Sequence, residues 1–212
     1  MVGQGVLREC LLDPDVQFVQ TVGRSATGVQ HPKLREIVQR DLLHYGEIEA
    51  DLNGFDACFF CLGVSSAGMS EPEYERLTYD ITIAAAQILS RLNPGMTFVY
   101  VSGAGTDSSE KGPTMWARIK GKTENALLRL PFKAAYMFRP AGIQAMHGER
   151  PRTPAYRVVY TLAKPLFPLL RRLIPNYILT TEEIGRAMIH VAKRGGPKTI
   201  LESSDIRGVS IL

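Results

Sequence analysis

The sequence predicts an α/β fold, a doubly wound parallel sheet with helices on both faces. Two observations carry this. Short apolar runs alternate with amphipathic stretches along the chain, and each run closes on small or polar residues. The composition agrees: 45% hydrophobic and 22% charged residues over 212 positions describe one ordinary globular domain.

In order, Gly5 to Leu12 reads as a helix that stops before Asp13-Pro14. Val16 to Val22 is a strand ending at Gly23-Arg24-Ser25, and Leu34 to Val38 a weaker one ending at Gln39-Arg40-Asp41. Ala57 to Leu62, ACFFCL, is nearly continuously apolar, as a strand buried on both faces should be. Pro72 to Leu92 reads as a helix with proline in its first turn. Met96 to Val101 and Ala134 to Phe138 are further strands, with a helix from Met115 to Leu130 between them, and Thr199 to Leu201 makes a short sixth. Thr180 and Glu183 form a capping box that opens a helix through Ala192, closed by Gly195-Gly196. The reading assigns 1–212 to one nucleotide-binding domain, with 143–180 as a small, mostly helical substrate cap.

In an open parallel sheet, ligands bind at the carboxyl ends of the strands. Positions 23–25, 41, 61–66, 102–106 and 139–143 are therefore the expected site. The N-terminus, Met1-Val2-Gly3-Gln4-Gly5, leads straight into a helix. A dinucleotide fold places an apolar strand and a glycine turn before such a helix. Gly3 fits the last glycine of that turn, the one that lets helix and strand pack closely. The expectation is a Rossmann-type fold that starts inside its glycine motif, leaving unpaired backbone on the two strands beside the missing one.

The end of the second strand chooses the cofactor. NAD enzymes carry an acid there for the ribose 2′-hydroxyl. Here Arg24 can pair with a 2′-phosphate and Ser25 can donate to it, so NADP(H) is favoured over NAD(H). Asp41, beside Leu42, is placed to accept from the adenine amino group or to act as a helix cap. Leu62, Gly63 and Val64 form a small-residue turn that a cofactor can approach closely. Pro140 and Ile143 sit in the turn after the fifth strand.

The segments MVGQGVLREC, VGRS, FFCLGVSS, FVYVSGAGTD, MWARIKGKTENAL and FRPAGI, spread from residue 1 to about 143, together resemble the atypical short-chain dehydrogenase/reductases of the epimerase/dehydratase-like branch. The resemblance implies a nicotinamide dinucleotide, an unidentified small-molecule substrate, and a pocket formed partly by the C-terminal third. It places Ser102 as the group that polarises the substrate oxygen and Lys120 as the lysine that holds the nicotinamide ribose. Trp116 stands where the family has its acid/base tyrosine. An indole N–H donates a hydrogen bond but has no usable pKa near neutrality. Two functions follow: an NADP(H)-dependent oxidoreductase or epimerase-like enzyme with an unidentified proton donor (Tyr100 reads most simply as core packing, and Tyr156 and Tyr160 reach the pocket only if the fold brings them there), or a cofactor-binding sensor or interaction module without turnover.

Other signals narrow the class. A net charge of +4 is too small and dispersed for nucleic acid. Cys58 and Cys61, three apart on a strand, point to opposite faces and should not meet, and no second ligand pair supports zinc. With Cys10 they make an odd number in a chain without a signal peptide, which argues for a reducing cytoplasm. Arg150 to Pro175 holds six basic residues, no acids and many apolar ones, so a weak contact with an anionic membrane is an option beside a solvated cap.

Overall fold

A computed structural model describes residues 1–149, 174 and 176–212. The basic stretch, with Tyr156 and Tyr160, lies outside the described residues, and so does most of the expected cap. The elements are α1 (Val2–Leu12), β1 (Val19–Gly23), β2 (Leu34–Val38), β3 (Ala57–Phe60), α2 (Glu71–Glu75), a π-helical turn (Arg76–Asp80), α3 (Ile81–Leu92), β4 (Thr97–Val101), α4 (Met115–Leu127), β5 (Ala134–Arg139), β6 (Gly142–Gln144), β7 (Ile178–Thr180), α5 (Thr181–Arg194), β8 (Ile200–Glu202) and α6 (Ser203–Ser210). The Thr180 hydroxyl accepts from the Glu183 N–H at 3.0 Å and the Glu183 carboxylate accepts from the Thr180 N–H at 2.6 Å, closing the capping box that the sequence announces.

All strand pairs are parallel, as β3-β4-β5-β8, β1-β2 and β6-β7. Two apolar layers sandwich them. Val6, Cys10, Val99, Phe138, Ile184, Met188 and Ile206 fill one, under α1, α5 and α6; Leu52, Phe60, Ala85, Ala86, Phe98, Tyr100 and Leu127 fill the other, under α3 and α4. This is the doubly wound α/β architecture that the patterning predicts.

Several details differ from the sequence reading. The helix expected to begin at Gly5 begins at Val2, so Gly3 lies in its first turn. A Cβ on Gly3 would stand 3.3 Å from Cys61 Cβ, which makes glycine the residue that seats α1 against the end of β3. The ACFFCL run is less buried than expected: Phe60 is buried and Ala57, Cys58 and Phe59 are half-buried, because among the described residues β3 pairs on one side only. Sequence patterning also missed the β6–β7 pair, helix α6 and a 3-10 turn over Gly46–Leu52. These are too short for periodicity to register. Cys58 packs into one apolar layer and Cys61 into the other, and burial pushes both thiols up to about 12.

One close approach fixes the site's helix. A Cβ on Gly121 of α4 would fall 1.8 Å from the Asp107 carbonyl oxygen. Gly121→Ala is expected to lower stability by about 1–3 kcal/mol, the usual cost of overpacking. Gly208→Ala in α6, where an added Cβ meets nothing within 4 Å, is the control and should not destabilise. Urea midpoints of the two variants check this.

Candidate functional site

The carboxyl ends of β1 to β5 line one edge of the sheet. At the β1–β2 end lies a cavity of about 450 Å³ walled by Arg24, Arg40, Asp41, Leu42, Met69, Arg76 and Leu77, among others. Arg24 follows β1, Arg40 follows β2, and Arg76 opens the π-helical turn. None of the three makes an ion pair or side-chain hydrogen bond among the described residues. The two carboxylates of the wall are engaged by their own turns. Asp41 accepts from the Leu43 N–H at 2.9 Å and lies 2.8 Å from His44 Nδ1, contacts that hold its pKa below the usual range. Glu73 accepts from the Ser70 hydroxyl and N–H at 2.7 and 2.9 Å, which lowers its pKa in the same way. Three guanidinium groups are left facing one space.

Leu42 is buried in that wall, whereas Ser25 is exposed beyond it. Leu62 and Gly63 are exposed and Val64 half-buried in the loop after β3, and a Cβ on Gly63 would meet nothing within 4 Å. The Pro140 carbonyl accepts from the Ala104 N–H at 3.0 Å, which ties the turn after β5 to the turn after β4. Ile143 sits in β6, paired with Leu179, and packs against the core.

At the end of β4 the structure brings Ser102 and Lys120 together through the backbone. The Lys120 ammonium donates to the Ser102 carbonyl at 2.6 Å and stands 5.8 Å from the centre of the Tyr100 ring. The Ser102 side chain, only 9% exposed, faces inward: its hydroxyl donates to Glu124 at 2.5 Å. Glu124 is fully buried and is held by Arg139 from the end of β5. Ser102 therefore reaches a substrate oxygen only by leaving a buried carboxylate. Trp116 is half-buried one turn before Lys120, and its ring lies against Gly105, whose φ of +84° suits glycine. Tyr100 is 1% exposed within the core, and burial drives its hydroxyl pKa up, so it does not replace the missing tyrosine.

Sequence reading found Arg24 but missed Arg40, Arg76 and Glu124. Arg40 adjoins Asp41 and was within reach. Glu124 stands four residues after Lys120, a helical interval that signals a shared face. Arg76 has no local signal, because only the packing of its helix brings it to the strand ends.

Solved structures similar to this chain place the fold. WbmG of Bordetella bronchiseptica, in complex with NAD, superposes with a TM-score of 0.67 at 13% identity, over 100% of this chain and 73% of that one. WbmF of the same organism, with NAD⁺, gives 0.64 at 15% over 98% and 73%. A short-chain dehydrogenase/reductase family oxidoreductase of Burkholderia thailandensis gives 0.60 at 14% over 90% and 81%. The chain has the Rossmann fold of the atypical short-chain dehydrogenase/reductases.

Among curated proteins it is similar to "Protein FMP52-2, mitochondrial" of Scheffersomyces stipitis, 27% identical over 189 residues, 87% of this chain and 79% of the relative. "Protein fmp52, mitochondrial" of Emericella nidulans is 26% identical over 197 residues, 90% and 82%. No family model matches the chain. These relatives overturn the expected cytoplasmic location, since their names place them in the mitochondrion. Cysteine usage reports a reducing environment and not an address. Among the described residues no helix is long and apolar enough to cross a membrane.

Burial pulls the Lys120 pKa down from 10.5 to about 8, opposed in part by Glu124. The native chain thus sheds this proton before the unfolded chain does, and folding stability rises as pH climbs from about 8 towards 10.5. Denaturant titrations of wild type and Lys120→Met are expected to show the wild type gaining on the variant across that window. A constant difference would contradict the assignment.

Proposed function

We propose that this chain binds NADP(H) along the carboxyl edge of its sheet, the adenosine 2′-phosphate at the arginine-lined cavity and the nicotinamide near Lys120 and Trp116. The convergence of Arg24, Arg40 and Arg76 on one cavity carries this reading. A dianionic phosphate satisfies three cations that make no ion pair or side-chain hydrogen bond among the described residues, whereas a free 2′-hydroxyl would not. Asp41 and Leu42 flank the same space, where the adenine would lie. The names of the solved neighbours, in complex with NAD⁺ and NAD, support a nicotinamide dinucleotide, and the arginines argue for the phosphorylated form. The mitochondrial names of the relatives support a mitochondrial location for this chain too.

The chain has one tryptophan, Trp116, which makes its fluorescence a reporter of nicotinamide binding. NADPH is expected to quench it at lower concentration than NADH. Arg24→Ala and Arg76→Ala should each weaken NADPH about 10- to 100-fold, the worth of one charge-assisted bond, and leave NADH nearly unchanged. Equal affinities of the wild type for both cofactors would sink the 2′-phosphate assignment.

Chemistry is the finer question. With Lys120 in place, the fold supports an oxidoreductase or epimerase-like activity on a small molecule. Trp116 and the inward Ser102 favour a second reading, a cofactor-binding module that reports the nicotinamide pool without turnover. Trp116→Tyr separates them. If only the acid/base is missing, the variant gains NADPH oxidation on a carbonyl panel, by the 10²- to 10⁴-fold that general acid catalysis typically supplies. If wild type already turns over, the module reading falls.

A further inference from the structure

We propose that Lys120 is a nucleophilic amine that captures small apolar aldehydes as imines at the carboxyl end of β4. Its ammonium is poorly satisfied where it sits. A lysine ammonium carries three N–H donors, and among the described residues this one finds a single acceptor, the Ser102 carbonyl at 2.6 Å, and makes no ion pair. The Glu124 carboxylate, one turn further along α4, is taken by Arg139 and by the Ser102 hydroxyl. A neutral amine suits the place better, since it gives one N–H to Ser102 and keeps its lone pair for whatever enters. Burial, opposed in part by the Glu124 charge, holds the pKa at about 8, so about a tenth of the molecules carry the free amine at pH 7.

The groups around the amine choose its ligand. The Tyr100 ring, buried in the core, has its centre 5.8 Å from the nitrogen, close to the ~6 Å limit of a cation–π contact, so it does little to hold the charge. Trp116 is half-buried one turn back on α4, at the spacing that puts two side chains on one helix face. The hydroxyls that could polarise a carbonyl are engaged elsewhere: Ser102 donates to Glu124 at 2.5 Å and Thr106 to the Gly103 carbonyl at 2.7 Å. Asp107, in the loop after β4, accepts from the Ser109 hydroxyl and the Gly112 N–H, which hold its pKa below the usual range. A carbonyl compound at this end therefore meets an indole and an amine. An aldehyde with a short apolar tail matches both, the indole taking the tail and the nitrogen the carbonyl carbon.

The step needs no oxidant and no reductant. The nitrogen lone pair attacks the carbonyl carbon, a C–N bond forms, and the carbonyl oxygen takes up a proton from the nitrogen to give a carbinolamine. Loss of that hydroxyl with the second amine proton leaves the C=N bond and one water molecule. Desolvation is the usual way in which a lysine is made nucleophilic for this chemistry. The capture goes beyond the nucleotide reading and does not rest on it, because no nucleotide atom takes part.

Reductive trapping reads the imine directly. The chain, without added nucleotide, is treated with butanal and cyanoborohydride at pH 7.5 and digested, and its butylated lysines are followed by mass spectrometry. Each unit by which a lysine pKa falls makes about 10-fold more free amine at neutral pH, so Lys120 is expected to react at least about 10-fold faster than the exposed Lys111 and Lys133. Its rate should level off above about pH 8. Lys120→Arg keeps the positive charge but forms no imine, and should lose the fast adduct alone; the wild-type comparison decides even where that variant misfolds. The proposal is overturned if Lys120 reacts no faster than the two exposed lysines, or if the fast adduct persists in Lys120→Arg. It is equally overturned if the Lys120 rate keeps climbing to pH 10, or if the urea-unfolded chain shows the same preference, which would place the reactivity in the local sequence and not in the fold.

Discussion

The interaction on which the site depends is the buried ion pair of Glu124 and Arg139. Glu124 is fully buried on α4, and Arg139 ends β5 with 9% exposure. Two such side chains are tolerated this deep only if each is saturated with partners. Arg139 donates to both Glu124 oxygens and to the Ser108 hydroxyl, and Glu124 also accepts from Ser102. The pair thus ties a helix, two adjacent strand ends and the loop between them into one unit. Removing one partner of such a pair costs about 3–5 kcal/mol, because the other charge is stranded.

Lys120 inherits its position from that unit. It sits one helical turn before Glu124, and its ammonium is held by the carbonyl of the residue whose hydroxyl Glu124 holds. Gly121 presses the same helix against the Asp107 carbonyl, so α4 has little freedom to slide. The geometry that buries Lys120 also lowers its pKa, which leaves a cation at neutral pH that is easily discharged. The same packing faces Trp116 with Gly105 and turns Ser102 inward. One constraint therefore both positions Lys120 and keeps the Ser102 hydroxyl turned inward.

The opposite end of the site is organised differently. Arg24, Arg40 and Arg76 are exposed and come from three separate elements, with no buried network holding them. Such exposed cations lose little solvation at rest and add little to stability.

The sequence by itself determined the layered α/β fold, and it pointed to the strand ends and to Arg24, Lys120 and Trp116 as the residues to watch. The fold, the strand ends and Arg24 rest on period, on chain order and on side-chain chemistry, all of which are local; Lys120 and Trp116 rest on the resemblance to the short-chain dehydrogenase/reductases. Only the tertiary structure decided that the Ser102 hydroxyl belongs to Glu124 and that Arg76 joins Arg24 across the cavity. Each of these is a meeting of residues far apart in the chain, and nothing in the spacing of residues along a sequence encodes which distant side chain or strand edge will lie opposite.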